Sequence, residues 1–159
     1  MIELVAADVD AHSELVHGWM HAPHVAPWWN LAVSRAGIRT YLAELGHVEP
    51  WIAYADGVPF AYVETYRVAE DPLAAHYACD PEDRGWHVLV GDADFLGTDA
   101  SRELGRVVVD TLLEQGERVV CEPDVRNARM LAYCHALGGQ VAAELELPDK
   151  RAALIVWER

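Results

Sequence analysis

Positive charge is scarce in this chain. Its 12 lysines and arginines stand against 26 aspartates and glutamates, a formal net charge of −14 in 159 residues. Such an excess of negative charge repels phosphate backbones, so the sequence predicts no nucleic-acid partner. A cationic small molecule is the better electrostatic match, although the same surplus also serves solubility alone. Cysteine is scarce too. Cys79, Cys121 and Cys134 are odd in number and show no paired spacing, which argues against a disulfide framework and against a zinc ribbon. Long hydrophobic runs are missing: no apolar stretch approaches the roughly 18 residues of a membrane span. The opening MIELVAADVD lacks the basic stretch and apolar core of a secretory signal. The expectation is a cytoplasmic protein with no membrane segment.

What remains is the composition of an ordinary globule, 52% hydrophobic and 24% charged. The length suits a single domain spanning residues 1–159, able to bury roughly 68–70% of its unfolded surface. IELVAA reads as a first strand, and apolar spacing predicts a helix over 10–20. Pro23 and Pro27 in HAPHVAPWWN are expected to break any helix there. A second helix is expected over 34–45, with Ser34 as N-cap and Gly46 as stop. WIAYADGVPFAYVETYRV is the clearest hairpin, with Asp56-Gly57 at its turn. After a loop over 70–83, GWHVLVGD reads as a strand buried on both faces. A helix over 100–115, a short strand at RVVCEPD, a helix over 127–137 and two closing strands complete the chain. The unit of strand, helix and strand between 85 and 122 is a crossover, which makes its two strands parallel.

Chemistry concentrates around that crossover. LVGDADFLGTDASREL joins a strand to a helix N-terminus through a glycine-bearing loop, a standard anion-binding arrangement. Asp92, Asp94 and Asp99 oppose that use, and Arg102 and Arg106, one turn apart, are the compensating charges. Asp124 sits at the end of the second parallel strand, where ligands of open α/β sheets bind. His87 precedes the Val88-Leu89-Val90 run. If both face one cleft, an imidazole and a carboxylate converge to deprotonate an amine or hydroxylamine. The structural alternatives stay open: Asp124 as a helix cap and His87 as a core residue. His12, His17, His21 and His24 lack the companions of a metal site, with no HExxH present, so no metal is expected. Trp28 and Trp29 either pack or wall a substrate pocket.

RGWHVLVGDADFLG and CEPDVRNARM, together with WMHAPHVAPWW and the VPFAYVETY hairpin, resemble the siderophore-biosynthesis branch of the GNAT acyltransferases, which acylates lysine or hydroxylysine side chains. The likeness spans about residues 19–138. It implies an α/β GNAT fold, a mixed and mostly antiparallel sheet whose central parallel pair splays to bind acyl-CoA, with helices on both faces. It implies direct transfer from acetyl-CoA or another acyl-CoA to an amine or N-hydroxyamine, with no metal. His87 and Asp124 fall on the family's active-site positions. By the same likeness, the amides around Val88, Leu89 and Val90 hold the thioester arm. The loop from Phe95 through Gly97 to Arg102 receives the pyrophosphate, Asn127 touches the pantetheine, and Trp28 and Trp29 border the acceptor pocket. Two departures stand out. Asp94 and Asp99 replace polar or small residues of the family loop, and Cys134 replaces the tyrosine that often reprotonates the CoA thiolate, with Tyr133 one residue earlier. No general acid is assigned. An aminoglycoside 6′-N-acetyltransferase and a non-catalytic acyl-CoA-binding module are the alternatives, and a monomer or homodimer is expected.

Overall fold

A computed structural model describes residues 1–159. The strands, in chain order, are β1 (Ile2–Ala6), β2 (Glu49–Ala55), β3 (Val58–Arg67), β4 (Arg84–Val90), β5 (Arg118–Cys121), β6 (Gln140–Glu146) and β7 (Arg151–Glu158). The helices are α1 (Val9–Met20), α2 (Ala26–Trp29), α3 (Arg35–Ala43), α4 (Asp99–Gln115) and α5 (Ala128–Ala136). The strands form one seven-stranded sheet in the order β1-β2-β3-β4-β5-β7-β6. It is a mixed sheet, mostly antiparallel, of the GNAT-like kind the sequence predicts. Its parallel pair, β4 with β5, has a register of two residue pairs, Arg84 opposite Val119 and Gly85 opposite Val120.

Local chemistry explains the boundaries. The Asp8 carboxylate accepts from the Ala11 amide at the start of α1, and the Ser34 hydroxyl accepts from the Gly37 amide at the start of α3. The β2–β3 turn places Asp56 at φ 48° and Gly57 at φ 83°. Two successive left-handed residues make the tight turn whose twist matches the flanking strands. One expectation is overturned: Pro27 does not break the chain out of helix but lies in the first turn of the four-residue α2. A missing N–H is harmless there, because first-turn amides have no intrahelical acceptor. The second expected helix is also shorter, since α3 ends at Ala43 and Glu44 is its cap. The 70–83 stretch contains a short 3₁₀ turn, Pro72–Ala75.

The chain forms two compact units, Met1–Glu64 with His87–Ser101 and Thr65–Trp86 with Arg102–Arg159. In the first, Val16, Met20, Ile38, Ile52 and Tyr62 are fully buried in one cluster that also holds Trp19 and Leu89. Each such side chain removed from water contributes roughly 1.5–3 kcal/mol. In the second, Trp86 meets Trp157 edge to face with ring centroids 5.7 Å apart. There the buried Asp83 carboxylate receives two hydrogen bonds from Arg118, at 2.8 and 2.7 Å, and one from the Tyr77 hydroxyl. No helix is long and apolar enough to cross a membrane.

Candidate active site

β3 is buried along nearly its whole length, and it carries an acid in the middle. Glu64 is 4% exposed. A carboxylate this far from water needs partners, because desolvation penalises its charged form. It has three. The hydroxyls of Tyr41, from α3, and Tyr62, two residues back on the same face of β3, both donate to Oε1, Tyr62 at 2.9 Å. Oε2 faces Nδ1 of His87 on β4 at 3.3 Å. Burial pulls the Glu64 carboxyl upward. Hydrogen bonding and charge from His87, joined by the two tyrosines, outweigh that and hold it below the ordinary range. Burial also pushes both phenols up, and the Glu64 charge pushes them further. The result is an ionised acid served by two permanent O–H donors. An ionised carboxylate only accepts, so the hydrogen of this contact belongs to His87 Nδ1.

His87 is therefore neither a sealed core residue nor a bare surface base: its side chain is one-third exposed while its acid partner is buried. Trp29 stands beside it. Its ring meets Tyr62 edge on at 5.6 Å and His87 at 6.3 Å between centroids. Trp28, its neighbour, is exposed. Along β4, Val88 and Leu89 are buried, and the Val90 carbonyl lies 2.7 Å from His24 Nε2. Gly91 closes the strand by donating to the Phe60 carbonyl. A Cβ at Gly91 would fall 2.1 Å from the Trp19 ring, so only glycine lets the two meet. In the following loop, Phe95 stacks on Phe60 at 4.7 Å, Gly97 takes φ 71°, and the Thr98 hydroxyl accepts from the Ser101 amide in the first turn of α4.

The other sequence-predicted residues belong to the second unit. Arg102 lies on α4. Asp124 follows β5 and forms an isolated bridge with Ala152. Its Oδ1 accepts from the Arg126 amide at 2.9 Å and Nε at 3.0 Å, and its Oδ2 from Nη2 at 2.7 Å. The guanidinium beside it lowers the Asp124 carboxyl to about 2. At neutral pH such a group is a fixed anion and a poor proton acceptor. The cap of α5 is Asn127, whose Oδ1 accepts from the Met130 amide. Of the predicted residues, His87, Trp29 and the Val88–Val90 run thus come together in one unit. Asp124 engages Arg126 in the other.

A family model described as an acetyltransferase (GNAT) domain matches residues 8–147. The chain belongs to the GNAT acetyltransferases. It is 31% identical over 159 residues to a lysine N-acyltransferase, MbtK, of Mycobacterium sp. (strain MCS), covering 96% of this chain and 65% of that protein. It is 30% identical over 166 residues to an N(6)-hydroxylysine O-acetyltransferase of Escherichia coli, covering all of this chain and 52% of that protein. The chain thus spans about half to two thirds of the length of these relatives. Among solved structures, an uncharacterized protein (bh2621) from Bacillus halodurans superposes with a TM-score of 0.94 at 30% identity, covering 99% of this chain and 83% of that one. The aminoglycoside acetyltransferase AAC(6′)-Ib in complex with coenzyme A superposes at 0.87 and 21% identity, covering 100% and 95%, a likeness of fold alone.

Within this GNAT chain the two departures from the family pattern have visible surroundings. Cys134 is buried, with its Sγ 3.7 Å from that of Cys121. Tyr133 is half-buried, and a Cβ at Gly105 would fall 2.6 Å from its hydroxyl. Burial first, and the neighbouring cysteines next, push its phenol up. Asp99 opens α4, where an acid complements the partial positive charge of a helix start. Glu64, Tyr41 and Tyr62 were not singled out by sequence reasoning. A signal existed: Glu64 is the one acid inside FAYVETY, and an acid in a strand apolar on both sides must find a donor.

Proposed function

We propose that the chain is an acyl-CoA-dependent N-acyltransferase of siderophore biosynthesis. The acceptor is the terminal amine or N-hydroxyamine of a lysine-, ornithine- or diamine-like side chain. The observation that carries this reading is the whole-chain likeness to two relatives named for acyl transfer to lysine and to N(6)-hydroxylysine. The net charge of −14 supports a cationic acceptor.

In this reading the acceptor nitrogen attacks the thioester carbonyl carbon and passes its proton to His87 Nε2. The carbonyl π electrons move to oxygen, then return as the carbon–sulfur bond breaks, and CoA leaves as a thiolate that takes up a proton. Backbone amides of β4 supply the oxyanion donors, each worth about 3–4 kcal/mol in such sites. Strand alternation, with Gly91 N–H on the Phe60 carbonyl, turns the Leu89 amide toward β3 and the Val88 and Val90 amides to the opposite edge. Asp124 acts as a fixed negative charge that orients rather than accepts, because Arg126 keeps it ionised. Trp28 and Trp29 border the acceptor, and the loop from Phe95 through Gly97 to Arg102, with Asn127, holds acyl-CoA.

The test is CoA release from acetyl-CoA with N6-hydroxylysine, N5-hydroxyornithine and N-hydroxycadaverine, with kanamycin as the competing acceptor. Turnover of a hydroxyamine above kanamycin supports the reading, and the reverse order overturns it. His87→Ala is expected to lower kcat by about 10²–10⁴-fold, and Asp124→Asn to lower it as well. Wild-type turnover in both variants would overturn the site assignment.

A further inference from the structure

We propose that Glu64, anchored by Tyr41 and Tyr62, is a positioning residue that holds His87 in one tautomer, hydrogen on Nδ1 and lone pair on Nε2. The inference rests on the reading of His87 as the base of acyl transfer, but its geometry stands without it. A leucine at position 64 would leave Tyr41, Tyr62 and His87 without their shared acceptor, since an apolar substitute for a buried ionic group is neutral or stabilising only when its polar partners are replaced with it. What an acid provides here and an apolar residue cannot is an acceptor aimed at one ring nitrogen.

The division of labour between the two carboxylate oxygens decides the argument. Both tyrosines donate to Oε1, and only Oε2 faces the imidazole. The ion is therefore not free to rotate without breaking two hydrogen bonds, one of them to the fully buried Tyr62 phenol. The arrangement also predicts what an isosteric amide does. In Glu64→Gln the side-chain carbonyl keeps both phenolic donors when it takes the Oε1 position, and that orientation leaves the NH2 group facing His87. An NH2 group only donates, so Nδ1 must become the acceptor and the ring hydrogen must move to Nε2. A base that needs its lone pair on Nε2 is switched off with almost no change in shape. An Asp→Asn change beside a catalytic histidine acts in this way in serine proteases, with a loss of about 10⁴ in kcat.

Of the groups around His87, Glu64 on β3 faces its Nδ1 and Trp29 on α2 meets its ring, while Tyr62 on β3 and Tyr41 on α3 are joined to it through Glu64. Among them only Glu64 is charged at neutral pH. Removing that charge removes the nearest stabilisation of the imidazolium. The acid limb of kcat/KM should therefore move to lower pH in Glu64→Gln.

The experiment is ¹⁵N NMR of protein labelled at histidine, without substrate, at a pH above the acid limb. The His87 signals are identified by their loss in His87→Asn. Wild type should carry its hydrogen on Nδ1 and Glu64→Gln on Nε2. Glu64→Gln should also lose at least 100-fold in kcat, while Glu64→Asp, which keeps an acceptor, should retain more activity than Glu64→Gln. An Nε2-protonated ring in wild type, or the same tautomer in both proteins, overturns the proposal. The wild-type spectrum alone decides the point should Glu64→Gln fail to fold. If wild type acylates hydroxyamines and Glu64→Gln matches it with an unchanged tautomer, the positioning role fails while the proposed function stands. If the tautomers differ as expected but no acceptor is acylated, the proposed function fails and the positioning role stands.

Discussion

At the scale of single residues, the decisive group is a buried acid that stays ionised. Three donors hold the Glu64 carboxyl below its ordinary value of 4.5 in spite of burial. A group whose pKa is lowered by folding contributes stability that is fully present above the unfolded value. That contribution is lost as pH falls through the folded value. The stability gap between wild type and Glu64→Gln should therefore be widest near neutral pH and should narrow on acidification below about pH 4.5. Urea midpoints measured from pH 7 to pH 3 check this, and a gap independent of pH would contradict it. His87 was legible in the sequence as a candidate base because an imidazole precedes an apolar strand. Its partner was not, because Glu64 and His87 lie 23 positions apart and only the folding of β3 and β4 brings them together. Asp124 was legible as an acid at a strand end. The Arg126 fork that keeps it ionised is a local structure, and the aspartate two residues before an arginine did not by itself reveal a bidentate contact.

At the scale of elements, β4 is the strand on which the proposed chemistry depends, and its C-terminal end is fixed by close approach. Gly91 lies against the Trp19 ring, which is itself in the apolar cluster. Gly91→Ala should cost about 1–3 kcal/mol through overpacking of this contact. It should also lower kcat beyond what lost stability explains, because Val88 and Val90 precede it on the strand. Denaturant unfolding and steady-state kinetics on the same sample separate the two effects. The elements themselves were largely legible. Asp56-Gly57 between two β-rich runs specified a hairpin because both turn residues take positive φ cheaply. The Pro27 helix was not legible, because proline's effect on a helix depends on position within the first turn, and a four-residue helix offers no periodicity to read.

At the scale of the whole molecule, the surplus of acids sets a long-range field. An anionic chain attracts a cationic acceptor and repels an anionic acyl-CoA, and salt screens both effects beyond a Debye length of roughly 10 Å at 0.1 M. Raising ionic strength from 0.01 to 0.5 M, in the proposed reaction, should raise KM for a diamine-like acceptor and lower KM for acetyl-CoA. Parallel shifts of both constants would contradict this electrostatic account.

The sequence by itself determined the order of the strands and of the longer helices, the parallel crossover, the hairpin and the family, because these depend on local periodicity, turn chemistry and motifs read along the chain. Tertiary structure alone decided which groups share protons. Glu64 meets His87, Tyr41 and Tyr62 because separate elements are packed side by side. Hydrogen bonding at 3 Å follows distance in space, which linear spacing does not encode.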